Sequence, residues 1–222
     1  APSFISDASL WLDASISDAV ITDGSDKVIT WLDLSGKNNN VSQSNSQFRP
    51  TVKTDSSFFP KNVLDFDVTV NNFHSNGGVL GNSLIKDNTN INISDKFSVY
   101  IVMAMNDTVS PWNATILGLG DISYYYGGHD SSSVHTSVGH KIAVWNTHLV
   151  NSDLSWDSYF SYTGHRNDTN KSSITQFKFD DGHITLHQNR ELVTQKNGVN
   201  KDDYGIFSGD DETKILTIGY DG

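Results

Sequence analysis

The stretch Phe97-Ser98-Val99-Tyr100-Ile101-Val102-Met103-Ala104-Met105 decides the fold class. Successive side chains of a strand point to opposite faces, so Phe97, Val99, Ile101, Met103 and Met105 share one face and Tyr100, Val102 and Ala104 the other. Both faces are apolar, and the stretch therefore reads as a central strand. Outward from it, shorter candidate strands fall at 115–119, 140–145, 159–163, 173–179, 183–188 and 214–219, each bounded by Gly, Asp or Asn. Within Phe177-Lys178-Phe179-Asp180-Asp181-Gly182-His183-Ile184-Thr185-Leu186, the Asp-Gly pair supplies the positive φ values of a tight hairpin turn, in a register that puts Ile184 and Leu186 on the core. The polar, glycine-containing segments 37–46 and 71–92 read as long surface loops.

Composition agrees with this reading. Ser, Thr, Asn, Asp and Gly abound, whereas glutamate occurs only at Glu191 and Glu212; good helix formers are scarce, and no amphipathic helix stands out. Short strands between turn signals, with no fixed-period repeat, indicate a sandwich or barrel, and 222 residues with 36% hydrophobic content can bury one core. The expectation is one all-β domain over residues 1–222. A net charge of -11 argues against phosphate backbones and anionic membranes as partners, because the signs would be alike. No apolar run is long enough for a membrane-spanning helix, so membrane insertion is not expected. The chain has no cysteine, which removes disulfides and thiolate zinc sites.

The early segments Leu10-Trp11-Leu12-Asp13-Ala14, Val28-Ile29-Thr30-Trp31-Leu32-Asp33-Leu34-Ser35-Gly36-Lys37-Asn38-Asn39, Arg49-Pro50-Thr51-Val52 and Asn62-Val63-Leu64-Asp65-Phe66-Asp67 are informative in their order. Trp11 and Trp31 are large apolar anchors, Asp33 and Ser35 before Gly36 suit a tight turn, and Pro50 suits an edge or loop. In this succession the pieces resemble the opening of the concanavalin A-like, laminin-G-like jelly rolls of bacterial surface proteins and of virus or phage structural proteins. The resemblance implies a two-sheet antiparallel jelly-roll sandwich and an extracellular, cell-surface or virion setting. Two departures stand out. Asn189-Arg190 occupies a late hairpin where the family usually has Asn-Gly, which disfavours a type I′ turn. The family also normally follows a strand like Ile215-Leu216-Thr217-Ile218-Gly219 with one more strand, which lies back against the N-terminal strand. The chain therefore reads as a jelly roll without its last strand, either a fragment or completed by a neighbouring chain, with a homo-oligomer one form of completion. The family shares a fold and not a function.

Catalytic chemistry has little support in the sequence. Glycosidases need two converging carboxyl groups, and neither Glu191 nor Glu212 sits in such a cluster. Asp65 and Asp67 share a face, as a strand end beside a turn also would. His183 and His187 fall on one face of a strand, but four residues at about 3.3 Å each place them about 13 Å apart, too far for one zinc ion. Asp121 and Asp130 are candidate loop ligands for calcium, as are Asp202, Asp203, Asp210 and Asp211. Six Asn-X-Ser/Thr sequons, at Asn40, Asn92, Asn106, Asn113, Asn167 and Asn170, are nearly what this composition yields by chance. The most suggestive stretch is Asp121-Ile122-Ser123-Tyr124-Tyr125-Tyr126-Gly127-Gly128-His129-Asp130, followed by Trp145-Asn146-Thr147-His148. Sugars are recognised by flat aromatic faces flanked by amide, imidazole or carboxylate groups. Tyr125, His129, Asp130, Trp145, Asn146 and His148 are accordingly the expected carbohydrate-binding residues. A non-enzymatic glycan-binding or adhesion module is the leading expectation, and a structural module contacting other protein chains is the alternative.

Overall fold

A computed structural model describes residues 7–54, 59–66, 72–73, 79–80, 82–87, 89, 91, 96–104, 115–120, 140–145, 148–150, 160–161, 172–198 and 216–219. The chain is all-β, and every strand pairing is antiparallel. The strands are β1 (Val20–Thr22), β2 (Val28–Trp31), β3 (Val41–Ser42), β4 (Thr51–Thr54), β5 (Asn62–Asp65), β6 (Asn72–Phe73), β7 (Val79–Leu80), β8 (Ser83–Lys86), β9 (Lys96–Ala104), β10 (Thr115–Gly120), β11 (His140–Trp145), β12 (His148–Val150), β13 (Phe160–Ser161), β14 (Ser172–Asp180), β15 (His183–Gln188), β16 (Glu191–Lys196) and β17 (Leu216–Gly219). The larger sheet runs β1-β2-β3-β8-β17-β10-β11-β12-β13, and a four-stranded sheet runs β16-β15-β14-β9; β4 pairs with β5, and β6 with β7.

The buried centre of the larger sheet is Val28, Val41, Leu84 and Leu216, one residue each from β2, β3, β8 and β17. Trp31, Leu64, Phe66 and Ile218 pack on it half-buried, together with Leu10 and Leu12 from the segment before β1. Asp33 fixes the path of this segment. Its Oδ1 accepts from the Trp11 and Ser35 backbone N–H groups, both at 2.9 Å, while Oδ2 accepts from the Ser35 hydroxyl at 2.8 Å and the Asn39 N–H at 2.9 Å. One buried carboxylate thus ties the segment before β1 to the turn before β3; the turn is what the Asp-x-Ser-Gly pattern implied, and the tie to Trp11 is added by the fold. Gly219, at φ +88°, closes β17 against Phe66: a Cβ there would lie 2.3 Å from the ring.

Three expectations need correction. Segment 37–46 is not all surface loop, since Asn39 and Val41 are fully buried and β3 lies inside the large sheet. Segment 71–92 likewise contains β6, β7 and β8, and Leu84 of β8 is a core residue. These strands escape a periodicity reading because β3 has two residues and β8 only two adjacent apolar ones. Finally, among the described residues β9 pairs with β14 alone, so it ends the described four-stranded sheet instead of standing at its centre.

Candidate binding face

The four-stranded sheet has two unlike faces. β9 and β14 pair over nine consecutive residues without a register shift, so Phe97, Val99, Ile101 and Met103 share a face with Phe179, Phe177, Thr175 and Ser173. The four β14 residues of this face are buried, and Phe97 packs on Phe177 and Phe179 with ring centroids 5.6 and 5.7 Å apart. The 180–183 turn has φ 48° at Asp181 and 83° at Gly182, the pair of positive values the Asp-Gly signal requires, and the register sets Ile184 and Leu186 opposite Phe179 and Phe177.

The other face is open. Tyr100 is 65% exposed, Val102 63%, Ile174 53% and Leu192 51%, and all four lie on it. Cross-strand register orders this face in rows. The first row is Val102 beside Ile174, and the next is Tyr100, Gln176, His187 and Leu192. The Gln176 side-chain amide donates to the Tyr100 hydroxyl at 2.8 Å, which holds the ring in place. A third row is Ser98, Lys178, Thr185 and Gln195. The last row is charged: Lys96 and Lys178 each bond Asp180 at 2.8 Å. The hydrogen bond from Lys178, then that from Lys96, holds the Asp180 carboxyl down at about 2. Next in that row, His183 Nδ1 hydrogen-bonds Asn197 Oδ1. The face therefore grades from apolar at one end, through an aromatic, amide and imidazole row, to an ion-paired charge cluster at the other.

At the apolar end, Asn189 clamps the sheet. Its backbone N–H donates to the Ile174 carbonyl at 2.9 Å, and its Oδ1 accepts from the Ile174 N–H at 3.0 Å. Asn189 and Arg190 have φ of 51° and 75°, so this turn has both central residues in the left-handed region although no glycine is present. On this same face the Thr185 Oγ1 and His187 Nδ1 atoms are themselves buried and have no hydrogen-bond partner.

Of the residues expected to bind carbohydrate, Tyr125, His129, Asp130 and Asn146 lie outside the described residues, as does Asp121 of the calcium pair. Trp145 ends β11 and His148 begins β12, and the β11–β12 register leaves both at the closed end of that hairpin. Among the described residues no three His, Asp or Glu side chains gather as a metal site. Asp65 forms an ion pair with Lys53 across β4 and β5, the structural reading of that strand end, and Asp67 lies outside the described residues. The Tyr100 face went unread because its residues come from four strands. Its signal was the alternation of Tyr100 and Val102 with Val99, Ile101 and Met103. No known protein family and no curated protein matches the chain.

Proposed function

We propose that this chain is a non-enzymatic binding module of the laminin-G-like, concanavalin A-like jelly-roll type, and that its ligand is carbohydrate bound on the open face of the four-stranded sheet. The observation that carries the reading is the row Tyr100, Gln176 and His187: an exposed aromatic ring, fixed by an amide, with an imidazole next to it. Such a row offers a flat surface for the apolar patch of a pyranose, flanked by donors and acceptors for its hydroxyls. The early segments and the large antiparallel sheet support the fold assignment, and the setting that goes with it is extracellular, cell-surface or virion. Screening the purified chain on a glycan array, with and without calcium, tests the function. The reading expects a hit that Tyr100→Ala weakens at least about tenfold, or ~1.4 kcal/mol. Silence on every glycan in both conditions would remove it.

A second reading is a structural or assembly module contacting other protein chains. It is favoured by Val102, Ile174 and Leu192, aliphatic side chains more than half exposed on the same face, which suit a protein surface better than a sugar. A particle or complex in which this face stays open to solvent would argue against it.

A further inference from the structure

We propose that the sugar bound on the open face of the four-stranded sheet is an N-acetylated hexosamine, its ring stacked on Tyr100 and its acetamido methyl set on Val102 and Ile174. The inference rests on the carbohydrate reading above and narrows it to one chemical class.

Two neighbouring rows of the face carry the argument. Tyr100 and Gln176 are partners across β9 and β14, and Val102 and Ile174 are the next pair on the same face. The two rows are two residues apart along the strands, or about 6.6 Å. All of Tyr100, Val102 and Ile174 are more than half exposed. A plain hexose carries hydroxyls around its ring, so one stacked on Tyr100 would set polar groups against the two aliphatic side chains and gain nothing by covering them.

An acetamido group changes this. It is a trans amide built like a peptide unit, so its methyl stands about 3.8 Å from the ring carbon that bears it. That reach carries the methyl from a ring over Tyr100 to the row of Val102 and Ile174, where apolar surface is removed from water on both sides. The amide finds a partner too. The Gln176 side chain donates its N–H to the Tyr100 hydroxyl, and the other half of that amide, Oε1, is a carbonyl acceptor next to the ring, suited to the acetamido N–H. The aliphatic row is also held in place beforehand, because Asn189 takes both the N–H and the carbonyl of Ile174.

Saturation-transfer NMR on the whole chain, with affinities from titration, tests this on two matched pairs of methyl glycosides: glucose against N-acetylglucosamine, and galactose against N-acetylgalactosamine. The members of each pair differ only in an acetamido group for a hydroxyl. In at least one pair the acetylated sugar should bind about tenfold more tightly, the order that one buried methyl and one amide hydrogen bond give together. Its acetyl methyl protons should receive the strongest saturation. Val102→Thr and Ile174→Thr put a hydroxyl on the aliphatic row while keeping a good strand former, and each should lower the preference at least about threefold. Ile21→Thr, an exposed position on β1, should leave it unchanged. Equal binding within both pairs overturns the hexosamine and leaves the carbohydrate reading in place. An acetyl preference that neither Val102→Thr nor Ile174→Thr alters overturns the placement of the methyl, and with it the inference. Silence of all four sugars, together with silence on the glycan array, removes the carbohydrate reading itself.

Discussion

Asp33 concentrates more structure in one side chain than any other described residue. Burial opposes its charge, but the N–H groups of Trp11, Asn39 and Ser35 and the Ser35 hydroxyl outweigh this and hold the carboxyl below its ordinary value. With four donors on two oxygens it is already satisfied, so it serves the fold and has little left for a cation. Asp33→Ala should cost at least about 2 kcal/mol in chemical denaturation, because it leaves buried N–H groups unpaired. Thr175 is the opposite case: its Oγ1 is buried on the inner face of β14 with no partner. Thr175→Val keeps the shape and removes the unmet hydroxyl, so it should be neutral or raise stability by up to about 1 kcal/mol. A clear drop in melting temperature would show that the hydroxyl is in use.

At the scale of elements, the two hairpins of the four-stranded sheet show what a turn requires. Asp181-Gly182 reaches its positive φ values at little cost, whereas Arg190 holds φ 75° with a full side chain. The clamp from Asn189 to Ile174 offsets that strain. Arg190→Gly should therefore stabilise the chain by about 0.5–1 kcal/mol, read as a shift in denaturation midpoint with unchanged slope. The contrast explains what the sequence made legible. β14 and β15 were readable to within a residue because long alternating runs meet at an Asp-Gly pair. β3 and β8 were not, because Val41 and Leu84 are placed by the strands on either side of them rather than by any pattern of their own. β9 was legible as a strand but not in its place at the end of the described four-stranded sheet, since apolar residues on both faces look alike in an inner strand and in an outer one.

On the scale of the whole molecule, acid should be the weak direction. Asp23, Asp33 and Asp180 all have carboxyls held below the ordinary value, Asp23 chiefly by the Ser25 N–H with help from Arg49, and Asp180 by its two lysines. A lowered folded-state value means that the stabilisation is present above the unfolded value near ~3.9 and is lost as pH falls through the folded one. Melting temperature should thus hold down to about pH 5 and fall below about pH 4. Added salt should blunt the part-exposed Asp180 share and spare that of Asp33. The candidate face was illegible for a related reason of scale: Tyr100, Gln176, His187 and Leu192 are up to 92 positions apart in sequence and meet only through register.

That larger order also sets a timetable. β17 lies between β8 and β10, so residues 216–219 join the early strands to the middle ones. During synthesis β1, β2, β3 and β8 leave the ribosome well before the strand they need for a neighbour, and Leu84 waits for Leu216. The larger sheet must therefore close late, over long sequence separations, which predicts slow folding and a chain that a ribosomal stall before position 216 would leave as two unjoined halves.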